Sequence, residues 1–332
     1  DLETLGARLS SHTLTPPRKS LSSGQSTREV VSKYGVFVAL GLVLLIALIW
    51  TPTFYSEATL RNTAREASII GIVTIGQFLL LMIRGVDLSI PAVIGFTTVL
   101  IAESGPGTAL GLVAAFCIAL LVGAINYYLV VKRRVPAFVA TFGMLVAVEG
   151  ARLVYTQGSA SGTVQSTYID FGRAVFFGLT LSTWTWIILL LLAILFLYKT
   201  RSGRNMIMVG SNPEMSSASG IKTGRYFLGA FVLSAVLAVI AGVFLAGSTG
   251  YVDRFMGAGT ELDSITAALL GGARFAGGQG SLLGAAAASL LLASLLTVIV
   301  LLGWSPALQL VAKGLVLVAA IALQSSLVKT SR

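Results

Sequence analysis

Few side chains in this chain could do acid–base, metal or nucleophilic chemistry, and their placement argues against all three. The only histidine, His12, sits in a polar stretch rich in Ser and Thr, and the only cysteine, Cys117, lies inside an apolar run. One cysteine excludes a disulfide framework and a Cys-based metal site. No GxxxxGK[ST] loop, HExxH or CxxC pattern occurs, so nothing here cradles nucleotide phosphates or holds a catalytic zinc. No catalytic residue, metal ligand or cofactor is assigned. What remains is a set of polar groups within or beside apolar runs: Gln77, Asp87, Ser89, Asn126 and Thr141. Such groups are costly in lipid and face a bundle interior or a water-filled route. They are the candidates for lining a translocation path, although each could instead cap a helix or bridge two spans. Asp87 and Glu149 are the only carboxylates placed to couple transport to an ion gradient.

The elements that position these groups follow from composition. Of 332 residues, 55% are hydrophobic and 11% charged, with mean hydropathy +0.89. A soluble domain carries about 25% charged residues, so lipid must serve as solvent for much of this chain. The 36 glycines agree with that, because small residues let membrane helices approach closely. The net charge of +10 does not imply a nucleic-acid partner. The basic residues form short clusters between apolar runs, the pattern of topology signals beside anionic lipid.

About 20 apolar residues cross a bilayer. Candidate spans are 34–51, 68–84, 89–103, 108–131, 136–155, 183–199, 226–247, 262–273, 280–302 and 306–327. The segments 89–103 and 262–273 are too short for straight crossings and read as half-helices or re-entrant pieces. The expected fold is an all-α polytopic bundle of eight to ten spans. A polar leader, 1–33, precedes a membrane domain, 34–328, and a tail, 329–332. With ten crossings, the leader, Lys132-Arg133-Arg134, the loop 199–225, Arg84, Arg274, Lys313, Lys329 and Arg332 fall inside. Arg61, Arg65, Arg152, Arg173 and Arg254 fall outside, among Glu57, Glu66, Glu103, Glu149, Asp170, Asp253, Glu261 and Asp263. No lysine falls outside, which predicts cytoplasmic termini.

Two breaks interrupt the apolar pattern. In Arg84–Pro91, Gly85 is suited to end one helix, Asp87 or Ser89 to cap the next, and Pro91 to its first turn. The second break is the glycine-rich Gly271–Gly280. Non-helical backbone at membrane depth survives only when buried in protein or facing a cavity, so paired interruptions point to a transport route. A short turn outside the bilayer is the alternative for each. In the loop 199–225, Asn212 can cap a short helix with Pro213 and Glu214 in its first turn, and Gly220 can stop it. So short a helix is unstable alone in water and must dock on its own bundle or on a partner.

The segments Arg84–Ser89, GSNPEMSSASGI and ELDSITAALLGGARFAGGQGSLLGA, with Lys313-Gly314 before the last apolar run, occur in order along the chain. Together they resemble the ribose-type permeases of ABC importers, a branch of the ribose/branched-chain amino acid permease superfamily. The resemblance departs at Met215, Ser216, Pro91 and Arg274, and residues 1–33 have no counterpart in it. It implies a permease subunit carrying a small sugar by alternating access, not itself an enzyme. Implied partners are separate ATP-binding subunits, a second permease copy and a periplasmic or extracellular substrate-binding protein. The membrane would be the bacterial inner membrane, and Asn212, Pro213, Glu214, Met215 and Gly220 would make the contact with the ATPase. A branched-chain amino acid permease, an ion-coupled secondary transporter and a membrane-embedded transferase are the alternative readings.

Overall fold

The computed structural model describes residues 23–102, 108–159 and 161–329; Glu103, Arg332 and most of the leader lie outside them. Thirteen helices are described: α1 Ser23–Trp50, α2 Glu57–Met82, α3 Ile90–Leu100, α4 Thr108–Tyr127, α5 Ala137–Tyr155, α6 Ser166–Arg173 and α7 Leu181–Lys199. They continue with α8 Arg201–Ser211, α9 Pro213–Ala218, α10 Thr223–Thr249, α11 Thr260–Leu270, α12 Leu282–Leu301 and α13 Pro306–Lys329. A π-helical turn, Tyr128–Lys132, extends α4. Four two-residue strands make two antiparallel pairs: β1 Gly162–Thr163 with β4 Tyr251–Val252, and β2 Val175–Phe176 with β3 Leu179–Thr180.

Among the described residues, six helical stretches are long and apolar enough to cross a membrane: 57–82, 109–132, 137–155, 181–199, 223–249 and 282–301. Their burial sorts them into layers. Helix α2 is the axis, 89% buried over its apolar window, with α10 and α12 at 61% beside it. By contrast α4, α5 and α7 are only 22–33% buried. They expose rows such as Ile188, Leu191, Leu192 and Leu195, the side chains that lipid would cover. Close approach of the inner helices needs small residues. A Cβ on Gly123 of α4 would lie 2.7 Å from the Cα of Val232 in α10, so no other residue fits there without parting the helices. Hydroxyls tie the spans laterally: Ser68 donates to Ser182 at 2.9 Å, and Thr63 and Thr297 lie 3.1 Å apart.

The two short segments are 11-residue helices, α3 and α11, half the length of a crossing. Successive helices alternate between two ends of the bundle. One end gathers 82–89, 132–136, 199–223 and 271–281 with most of the basic residues. The other gathers 50–57, 155–181 and 249–260. The expected depth of Lys313 is overturned. Its Nζ bonds Asp263 Oδ2 at 2.7 Å, so the two share one level. Lys313 stands seven residues into α13, about 10 Å from the start of that helix at 1.5 Å per residue, and Asp263 is in the first turn of α11. Both therefore belong to the less basic end, and placing Lys313 with the cytoplasmic charges was wrong.

Candidate functional site

Both breaks close with the same backbone device. After α2, Arg84 N bonds Leu81 O at 3.0 Å and Gly85 N bonds Leu80 O at 2.8 Å. After α11, Gly272 N bonds Leu269 O at 2.9 Å and Ala273 N bonds Ala268 O at 3.0 Å. This is the Schellman stop, with one left-handed residue satisfying orphan carbonyls. In the second break that residue is Gly272, φ +86°. In the first it is Arg84, φ +66°, and not Gly85 as the sequence suggested. An arginine held left-handed costs roughly 1–2 kcal/mol, and its contacts show what offsets that cost. Its Nε donates to Gly210 O at 2.8 Å and its Nη2 to Ser211 O at 2.9 Å.

Those acceptors end α8, immediately before the short α9. Gly278 N, from the second break, donates to Met82 O at 2.9 Å. A Cβ on Gly210 would overlap that same carbonyl oxygen. Three backbone segments, the two breaks and the end of α8, thus meet without space for a side chain between them. Helix α9 forms as its sequence indicates: Asn212 Oδ1 accepts from Met215 N at 2.9 Å, Pro213 and Glu214 fill the first turn, and Gly220 takes φ +79°. Of its residues only Ser216 is buried, and Met215 is 66% exposed. The helix lies on the surface with an apolar side chain uncovered.

Behind the first break, four of the five path candidates come together, all fully buried. Asp87 Oδ1 accepts from Ser89 N at 2.9 Å and from Ser89 Oγ at 2.5 Å. Gln77 Oε1 accepts from Asp87 N at 3.3 Å, and Asn126 Nδ2 donates to Ser89 Oγ at 3.0 Å. The fifth partner, Ser234 of α10, donates to Asp87 Oδ2 at 3.0 Å. Sequence reasoning missed it, because a serine in an apolar span bears no signal until another span brings it a carboxylate. The carboxylate holds the turn before α3, with Ser89 itself as the N-cap residue and Pro91 in the first turn. Gln77 Nε2 and Asn126 Oδ1 have no partner, so the cluster is two hydrogen bonds short of satisfaction. Thr141 stands apart: it is buried, and its hydroxyl bonds Ala137 O of its own helix at 2.9 Å. Glu149, the other carboxylate suited to ion coupling, pairs with the guanidinium of Arg152.

Among the described residues no group of His, Cys, Asp and Glu is arranged to hold a metal ion. The family described as branched-chain amino acid transport system / permease component matches residues 59–321. This chain belongs to that family. It is a multi-pass helical membrane protein of the permease type. It is 30% identical over 299 residues to the ribose import permease protein RbsC of Bacillus subtilis, covering 89% of this chain and 93% of that one. The L-arabinose transport system permease protein AraH of Escherichia coli is 28% identical over 308 residues, 92% of this chain and 93% of its own. The autoinducer 2 import system permease protein LsrC of an Enterobacter species is 30% identical over 286 residues, 82% of this chain and 77% of its own. No solved structure matches the chain.

Proposed function

We propose that this permease is the membrane subunit of a binding-protein-dependent ABC importer that carries a small sugar across the bacterial inner membrane. The observation that carries the reading is the junction at the basic end, where the exposed, capped helix follows the end of α8, which the Arg84 side chain bonds and against which both interrupted spans pack. Motion applied to α9 reaches Arg84, Met82 and Gly278 through the end of α8. The relatives over most of the chain are import permeases for ribose, arabinose and autoinducer 2, which favours sugar over a zwitterionic amino acid. The partners are separate ATPase subunits, a second permease copy and a substrate-binding protein. Asn212, Pro213, Glu214, Met215 and Gly220 present the contact to the ATPase. Both termini are cytoplasmic, and α1, α13 and the two half-helices bring the crossings to between eight and ten.

The polar cluster then belongs to the route. Gln77, Asp87, Ser89 and Asn126 are sealed in this conformation and reach solute only when α2, α3, α4 and α10 part. Two missing hydrogen bonds, each costing about 1–3 kcal/mol in a buried site, make this a place where helices separate cheaply. Thr141, which stands apart from this cluster, would line another part of the route from α5. Ion coupling has less support, because the Asp87 carboxylate is engaged by Ser89 and Ser234 and Glu149 by an ion pair. Reconstitution with the ATPase and binding protein tests the whole reading. ATP-dependent uptake of ribose or arabinose is expected; uptake by the permease alone, without any ATPase, would overturn it.

A further inference from the structure

At the end of the bundle away from the coupling helix lies a cavity of about 490 Å³, within the ~300–1,000 Å³ range of small-molecule sites. The loop after α10 brings Tyr251, Asp253 and Phe255 to the cavity, which Glu66 of α2 also lines. Its floor is the ion pair of Asp263 and Lys313. Both rings are uncovered, Tyr251 at 55% and Phe255 at 68% exposure.

The loop is held from behind. Arg152 of α5 is 1% exposed; its Nη2 donates to Arg254 O at 2.6 Å and pairs with Glu149. Strand β4, which contains Tyr251, is also paired with β1. Burying a guanidinium with two nitrogens unpartnered is expensive, and here it fixes the position of an aromatic and acidic loop. An ionisable pair set within apolar spans indicates a functional site in its own right.

We infer that this cavity is an outward-facing reception site for a neutral polyhydroxylated solute. The inference deepens the sugar-importer reading and rests on it. The chemistry follows from the lining. The ring of Tyr251, and the face of Phe255 that the Arg254 guanidinium does not cover, suit the flat C–H face of a sugar. The carboxylates of Asp253 and Glu66 are acceptor-only groups matched to vicinal hydroxyl donors; Asp253 Oδ1 already accepts from Phe255 N, which leaves its other oxygen for solute. Lys313 is engaged by Asp263 and the Arg254 guanidinium lies over the Phe255 ring, so the preference for a neutral solute rests on the sugar-importer reading. The site lies at the opposite end from the Asp87 cluster, so it would take the solute before the route opens.

The test uses the complete complex in proteoliposomes with ribose, arabinose and glucose as probes. Ala258 is exposed and lines the cavity, so Ala258→Cys in a Cys117→Ala background reports occupancy through a membrane-impermeant maleimide. The sugar that the wild-type complex imports should slow labelling, and spermidine should not. Phe255→Ala and Asp253→Asn should each lower uptake at limiting sugar about tenfold, a loss of ~1.4 kcal/mol, while ATPase and binding-protein association stay normal. Phe177→Ala, which removes an exposed aromatic that is not part of the cavity, should change nothing. Import of none of the three sugars by the wild type overturns the importer reading and this site with it. Import by the wild type with unprotected labelling, unchanged variants, protection by spermidine, or loss of binding-protein association in place of uptake overturns the site alone.

Discussion

Asp87 shows how much one buried carboxylate can organise. It accepts from the backbone and hydroxyl of Ser89 and from Ser234, so its substitutions separate shape from charge. Asp87→Asn keeps a carbonyl acceptor for Ser89 N and should fold, with uptake reduced but measurable. Asp87→Leu leaves buried donors unpaired, at about 1–3 kcal/mol, and should lower the melting temperature of the purified protein and abolish uptake. Equal loss of uptake at normal expression would mean that charge itself is required. Arg84 poses the opposite question, since its backbone is strained and its side chain well bonded. Arg84→Gly relieves the left-handed φ but removes both bonds to the end of α8. We expect normal membrane insertion and ATP hydrolysis no longer coupled to uptake; retained coupling would show that Gly278 and Met82 suffice. The break was legible in the sequence, but the capping role given to Asp87 was not upheld: Ser89 is the N-cap residue, α3 has no side-chain cap bond, and Asp87 instead holds Ser89 and Ser234. The left-handed arginine was not legible, because Gly85 beside it is the more usual residue for that conformation.

Among the elements, α9 is the one whose form and exposure most need explaining. Six residues make no stable helix in water, yet it is capped by Asn212, stopped at Gly220 and held to the bundle through Ser216. Its remaining surface waits for a partner. Gly220→Val places a β-branched side chain at φ +79°, at a cost of roughly 1–2 kcal/mol. Glu214→Lys reverses a charge that suits the first turn. Each should weaken co-purification of the ATPase or uncouple hydrolysis from uptake while leaving the membrane part folded. Normal coupling in both variants would remove α9 as the coupling element. The helix and its caps were readable because capping is local chemistry, carried by residues three apart. Its attachment to the two breaks was not, since 126 residues separate Arg84 from Gly210.

The whole bundle carries the orientation. The orientation predicted from charge asymmetry has Arg133, Lys222 and both termini inside and Arg173 and Asp253 outside. In a Cys117→Ala background, a membrane-impermeant thiol reagent on intact cells should label Asp253→Cys and Arg173→Cys and spare Lys222→Cys and Arg133→Cys. External labelling at 222 would invert the arrangement. By itself the sequence determined the membrane class, the apolar runs, the two short segments and the capped loop helix, because each depends on composition or on neighbours a few residues apart. It misplaced Lys313, because a charge count assigns sides by connection and takes no account of a partner within the same layer. Only the tertiary structure decided that α2 is the axis and that Ser234 completes the Asp87 cluster. Likewise it alone joined the two breaks at the end of α8 and gathered Glu66, Tyr251, Asp253 and Phe255 around one cavity. Those outcomes depend on which helix faces pack together, and in lipid an apolar helix face carries little sequence signal for its neighbour.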